Sequence, residues 1–172
     1  NNDHTKIVLK SGKDQSVKRK HPWIFSGAIK KIYGTANEGD TVYVYDNKDN
    51  FLAIGHYQNS SIAVRTISFD MVDIDTVFWK QRVMDAFNYR KKIGITSNEK
   101  TNAYRLINAE GDMMPGLIAD YYSGHIVLQI HSAGIYNCLD EICTALKEIY
   151  GDSLKSIYDK SENTMSFNSP FR

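Results

Sequence analysis

The chain of 172 residues is poor in several things that would narrow its function at once. It has three prolines and two cysteines. So little proline, beside 42% hydrophobic and 12% aromatic residues, argues against wholesale disorder and for a real core. Cys138 and Cys143 are too few for a disulfide framework, which fits a reducing compartment. No run approaches the roughly 18 apolar residues of a membrane span, so no membrane partner is expected. The polar opening Asn1-Asn2-Asp3-His4 is unlike a signal peptide. None of the 11 glycines stands one residue from another, so neither GxG nor GxGxxG occurs. The pairs Gly34/Gly39 and Gly111/Gly116 precede Asp40 and Leu117, not Lys and Ser/Thr, so neither is a phosphate-cradling loop. No nucleotide-type cofactor site is expected within these residues.

A net charge of +1 says nothing about partners, but its distribution does. Residues 1–31 hold eight lysines and arginines against Asp3 and Asp14. Residues 32–72 hold Lys48 and Arg65 against five carboxylates, and residues 73–172 hold 11 basic against 13 acidic groups. A clustered field of one sign attracts polyanions even on a neutral protein. Its densest part, Lys18-Arg19-Lys20-His21-Pro22-Trp23-Ile24-Phe25, interleaves cations with large aromatics. The cations suit phosphates, whereas Trp23 and Phe25 are expected in the core.

Two kinds of patterning divide the chain near residue 72. Before it come short strands and turns: Lys6–Lys10, Trp23–Phe25, Ala28–Tyr33, Thr41–Tyr45, Phe51–Tyr57 and Ser61–Ser68. In Thr41–Tyr45 the valines take one face and the tyrosines the other. Asn47–Asn50 is a hairpin turn, and Gly55 marks a bulge. Strands so short and so evenly spaced predict a small β-barrel. After residue 72, Asp75 caps a helix running to Lys92 and ended by Gly94. Tyr104–Ala109 reads as a strand, Leu117–Tyr121 and His125–Ile130 as a hairpin, Ile135–Tyr150 as a second amphipathic helix, and Ser156–Asp159 as a last strand. The expected architecture is α+β: a small barrel over 1–72, then a mixed α/β domain over 73–172 with strands flanked by two helices. Asn163–Arg172 has no cap or closing helix and reads as a connector or a cut end.

Glu110, Asp112 and Asp120 crowd one loop and strand start, with Arg105 five residues before. They either bind a metal or act in acid–base work, or they cap turn amides and pair with Arg105. With no His or Cys in register, the second reading is favoured. The histidines show no metal-ligand spacing, so no metal is expected. Five positions separate Cys138 from Cys143, about 140° on a helix; Cys143 is expected in the core and Cys138 partly exposed. No catalytic residue is assigned.

Three stretches carry a resemblance. Arg19 to Ile29 (RKHPWIFSGAI), Gly39-Asp40-Thr41-Val42 and Phe51–Gly55 (FLAIG) resemble the PUA domain that opens a family of SAM-dependent ribosomal RNA methyltransferases. Tyr104–Ile107, Glu110-Gly111-Asp112, Pro115–Asp120 and Ser156–Ser161 are similar to that family's central domain. The resemblance implies a bacterial, cytoplasmic protein whose parent methylates carbon 5 of cytosine in large-subunit ribosomal RNA. It implies a further C-terminal Rossmann-like domain, absent from this chain, that binds S-adenosylmethionine and carries the catalytic cysteine. The cofactor is then expected for the parent and none for this fragment, which alone is expected to be inactive. Neither cysteine here matches the family's catalytic position. PUA domains hold structured RNA by phosphate and backbone contacts, which maps to Lys18, Arg19, Lys20, Gly27 and Lys30, with His21 beside them. Arg105, Glu110, Asp112 and Asp120 would then line a cleft or domain junction. Ribosomal RNA is the expected partner, with room for a homodimer. The alternative is a non-enzymatic RNA- or protein-interaction module, motivated by the acidic, tyrosine-rich region 104–172.

Overall fold

A computed structural model describes residues 4–97 and 99–161. The stretch 163–172, expected to be a connector, lies outside the described residues. The chain divides into two compact units, Asn1–Asp73 and Ile74–Arg172.

The first unit holds β1 (Thr5–Leu9), α1 (Gln15–Lys18), β2 (Trp23–Phe25), β3 (Ile29–Tyr33), β4 (Thr41–Tyr45), β5 (Phe51–Tyr57) and β6 (Ile62–Ser68). They form one sheet in the order β2-β6-β5-β4-β1-β3, antiparallel except for the parallel pair β1 and β4. The two edge strands, β2 and β3, are joined by the single 3-10 turn Ser26–Ala28. Four residue steps reach at most about 14 Å, whereas a flat six-stranded sheet would separate its edges by about 24 Å. The sheet therefore curls, as the barrel expectation requires. Ile7, Leu9, Ile24, Val42, Val44 and Val64 fill its interior.

Alternation along β4 follows the sequence pattern, with Val42 and Val44 fully buried inside and Tyr45 half-buried on the other face. At Gly55 the β5–β6 register shifts between Ile54 and Gly55. A Cβ there would fall 2.6 Å from the Arg65 carbonyl oxygen, so only glycine allows the two strands to pair. The aromatics of β2 depart from expectation. Ile24 is the buried residue of this edge strand, Trp23 is half-buried and Phe25 is 51% exposed. A three-residue strand with a period of two buries its middle side chain and turns the flanking ones away.

The second unit opens with α2 (Thr76–Lys92), whose first turn is capped by Asp75 accepting from the Phe78 amide at 2.9 Å. Next come β7 (Ala103–Asn108), β8 (Leu117–Tyr122), β9 (His125–Ile130), α3 (Ala133–Asn137), α4 (Leu139–Tyr150) and β10 (Ser156–Asp159). The sheet order is β10-β9-β8-β7, with β10 parallel to β9 and the other pairs antiparallel. Helix α2 packs against α4 and β7. An aromatic stack binds these layers: Tyr104 and Tyr121 lie 4.8 Å apart, Tyr121 and Tyr150 5.2 Å, and Phe87 meets Tyr150 edge-on at 5.4 Å. The Tyr104 and Tyr150 hydroxyls are 2.7 Å apart, and burial pushes the Tyr150 phenol well above its ordinary range.

Where the sequence predicts one helix over 135–150, there are two, broken at Cys138 (φ −109°, ψ 16°). Ser132 starts a separate short helix by accepting from the Ile135 amide at 3.3 Å. Cys138 stands at the break itself and not on the outer face of one continuous helix, and the cysteine expectation reverses. Cys138 is buried, its thiol donating to the Gly134 and Ile135 carbonyls, while Cys143 is half-buried.

Candidate nucleic-acid interface

Helix α1 ends in a left-handed turn that sets out the basic run. The Lys20 amide donates to the Val17 carbonyl and the His21 amide to the Ser16 carbonyl, both at 2.9 Å, with Lys20 at φ 65°. This reciprocal pair is the Schellman end of a helix, and it usually places glycine where Lys20 stands. Arg19 and Lys20 are exposed on it. The Lys20 ammonium lies 4.8 Å from the Phe69 ring. His21 Nδ1 lies 3.1 Å from the Trp23 amide nitrogen and 3.3 Å from the Trp23 carbonyl oxygen, which holds the ring against the start of β2.

Two other candidates converge on the turn between β4 and β5. Lys18 pairs with Asp14 and lies 3.9 Å from Asp46, and Lys30 donates to the Asn47 side chain at 2.8 Å. Asp46 caps that turn through the Lys48 and Asn50 amides. The Asn50 amide group, ahead of its other donors, holds the Asp46 carboxyl below the usual carboxylate range. The Lys18 ammonium does the same for Asp14. Lys18 is thus matched by two carboxylates. Among the described residues no carboxylate lies within ion-pair distance of Arg19, Lys20 or Lys30.

Gly27 sits in the 3-10 turn between the edge strands. Its φ is not positive, and a Cβ built on it meets nothing within 4 Å. Its carbonyl accepts from the Lys10 ammonium at 3.0 Å, a contact between residues 17 positions apart that no local pattern signals. The fold of this unit does not require glycine here, unlike at Gly55.

In the second unit the acidic loop resolves into pairs. Asp120 receives Arg105 Nε at 2.9 Å and Nη2 at 3.3 Å across the β7–β8 register. Asp112 has a different partner. Arg90, on α2, grips it with both terminal nitrogens, donates from Nε to the Arg105 carbonyl at 3.1 Å, and is 8% exposed. Asp112 also accepts the Asn108 amide at 2.7 Å. Arg90 was legible in principle: it continues the buried stripe Trp79, Val83, Ala86 on α2, and an arginine on such a stripe needs a buried partner. Among the described residues no group of three or more His, Cys, Asp or Glu is placed to hold a metal. Burial raises both thiol pKa values, so neither cysteine is poised as a nucleophile.

The curled sheet with α1 between its first two strands matches a family model described as a PUA-like domain over residues 7–69. The chain is similar to curated proteins named ribosomal RNA large subunit methyltransferase I. It is 39% identical to that of Pseudoalteromonas translucida over 162 residues, covering 91% of this chain and 39% of the relative. It is 35% identical to that of Escherichia coli over 159 residues, again covering 91% of this chain and 39% of the relative. The chain thus spans about two fifths of the length of these relatives. A solved structure assigned as a methyltransferase and complexed with SAH shares the fold, with a TM-score of 0.77 at 21% identity, covering 96% of this chain and 43% of that one. In the first unit, Arg19 and Lys20 lie at the end of α1 and Lys30 on the edge strand β3, all three exposed.

Proposed function

We propose that this chain is the RNA-recognition and central portion of a SAM-dependent methyltransferase acting on carbon 5 of cytosine in large-subunit ribosomal RNA. The observation that carries the reading is the similarity over nine tenths of this chain to proteins named ribosomal RNA large subunit methyltransferase I. In this reading residues 1–72 bind RNA and residues 73–172 form the central domain. The chemistry and the S-adenosylmethionine site belong to the part of the parent that this chain does not span, and the parent works in the cytoplasm. The chain alone binds RNA but not S-adenosylmethionine. The paired segment around Arg105, Asp112 and Asp120, with Glu110, is a rigid support for the cleft or junction and takes no part in proton transfer. Removing a base from its stack for chemistry asks for such a rigid surround.

RNA is held by Arg19, Lys20, His21 and Lys30, with Lys18 anchoring α1 and Gly27 giving the sugar–phosphate chain room to approach. A glycine that its own fold does not need is what close approach of a ligand backbone would require.

The test joins two variants. Gly27→Ala leaves thermal stability unchanged and weakens binding to a structured ribosomal RNA fragment. Arg19→Gln/Lys20→Gln/Lys30→Gln makes the slope of log affinity against log salt shallower by about 2 to 3, from three fewer phosphate contacts. Unchanged affinity and slope in both would overturn the reading.

A further inference from the structure

A second feature of the first unit lies on the outward face of the sheet. Period-two alternation places Ile7, Ile32, Val42 and Val44 inward, so Lys6, Lys31, Tyr33, Tyr43 and Tyr45 share the opposite face. The register makes them neighbours across three strands. Lys6 stands opposite Tyr33 on β3 and Tyr43 on β4, and Val8 stands opposite Lys31 and Tyr45.

The side chains alternate cation and ring. The Lys31 ammonium is 4.6 Å from the Tyr33 ring, and the Lys6 ammonium is 5.8 Å from Tyr33 and 4.6 Å from Tyr45. Asp49 fixes the Lys6 ammonium between those two rings. Tyr33 is 49% exposed, on the edge strand β3, with Lys31 beside it. Next to Tyr45 the face opens into a cavity of about 430 Å³ walled by His4, Lys6, Tyr43 and the segment Met71–Asp73. The His4 ring lies on Tyr43, 4.4 Å away and tilted by 30°. A volume of this order takes a small planar ligand.

We propose that this face is a stacking platform for unpaired nucleobases of RNA, with Tyr33 and Tyr45 as the ring surfaces and Lys31 as the phosphate contact. Three observations favour it over plain cross-strand packing. Half of Tyr33 remains exposed. Lys31 lies beside the exposed Tyr33 and, among the described residues, has no carboxylate within ion-pair distance, so it is placed to hold a phosphate next to a base on that ring. The strip also adjoins the β4–β5 turn that gathers Lys18 and Lys30. Groups of this kind, rings beside cations on a sheet face, hold single strands without strong sequence preference because every base has a π-face. The proposal rests on the RNA-binding reading but adds a distinct requirement. The turn after α1 contacts phosphates of structured RNA, and this face requires bases that are not paired.

The experiment measures equilibrium binding of the 172-residue chain to a short fluorescein-labelled single-stranded RNA and to a blunt duplex of equal length. Tyr33→Ala and Tyr45→Ala are each expected to weaken single-strand binding by about 5- to 150-fold, the range of one lost base stack, with the duplex little affected. Tyr33→Phe keeps the ring and keeps the affinity. Tyr33 is half exposed, so its alanine variant folds, and a superimposable circular-dichroism melt verifies this; it decides the matter if Tyr45→Ala does not fold. Unchanged single-strand affinity in folded Tyr33→Ala, or an equal loss on the duplex, overturns the platform. The triple variant at Arg19, Lys20 and Lys30 separates the two ideas. If it leaves the duplex untouched while Tyr33→Ala weakens the single strand, the phosphate-binding turn fails and the platform stands; the opposite pattern does the reverse.

Discussion

In the unit Ile74–Arg172, Arg90 and Arg105 each meet a carboxylate in fixed geometry, and one of the two pairs is buried. In the unit Asn1–Asp73, Arg19, Lys20 and Lys30 stand exposed with no carboxylate within ion-pair distance among the described residues, while Lys18, one position before Arg19, is matched twice. Charge of one sign left unmatched creates a field that reaches solvent and polyanions. Charge matched in the interior fixes a loop and projects little outward. The same residue types therefore do different work in the two units, and formal net charge, close to zero overall, conceals it.

The sharpest break would come at Arg90. Arg90→Ala strands the buried Asp112 carboxylate and removes a donor from the Arg105 carbonyl. Removing one partner of a buried pair is expected to cost about 3–5 kcal/mol of stability, read as a lower urea midpoint. Arg19→Ala should change stability by no more than about 0.5 kcal/mol. Equal effects at the two positions would erase the distinction between anchoring and exposed cations.

The next effect belongs to the first unit alone. His56 is buried in β5, and burial lowers its pKa from 6.5 to about 4. The folded state therefore binds this proton less readily than the unfolded chain does. The stability is fully present above about pH 6.5 and is lost as pH falls toward about 4, to a total of about 3 kcal/mol. Hydrogen exchange of amides in β4, β5 and β6 should quicken over that range. His56→Gln should flatten the response, and an undiminished acid loss in that variant would place its source elsewhere.

Much of this contrast was legible in the sequence where a local rule decides. The valine–tyrosine alternation of Thr41–Tyr45, the Asp75 cap and the Gly55 bulge each depend on near neighbours, and each is where the pattern places it. What was not legible depends on partners far along the chain. Asp112 lies seven positions from Arg105 and 22 from Arg90, and the nearer arginine was the natural guess. The helix break at Cys138 replaces a continuous apolar face by two faces, and periodicity alone cannot see a break that leaves the period nearly intact. Phe25 was expected inside from its hydrophobicity, but on a three-residue edge strand Ile24 takes the one inward position. Of the candidate interface, the exposed cations could be read directly, and the pairing that takes Lys18 out of the set could not.

The smallest expected effect tests the exposed set most cleanly, because it separates charge from backbone. Lys20 occupies the left-handed position of the Schellman turn, a conformation that disfavours a residue with a Cβ by about 1 kcal/mol. Lys20→Gly relieves that strain while deleting the ammonium. The fold should become slightly more stable, by up to about 1 kcal/mol, offset in part by the greater freedom of the unfolded glycine chain. RNA binding should nonetheless weaken, with a salt slope shallower by about 0.7–0.9. Lys18→Gln should show the opposite pattern: some loss of stability as the buried Asp14 and Asp46 lose their cation, and a slope almost unchanged. A lysine kept in a conformation that glycine adopts more easily has a reason other than folding, and a weaker, less salt-sensitive complex with Lys20→Gly on a sounder fold would be the direct measure of that reason.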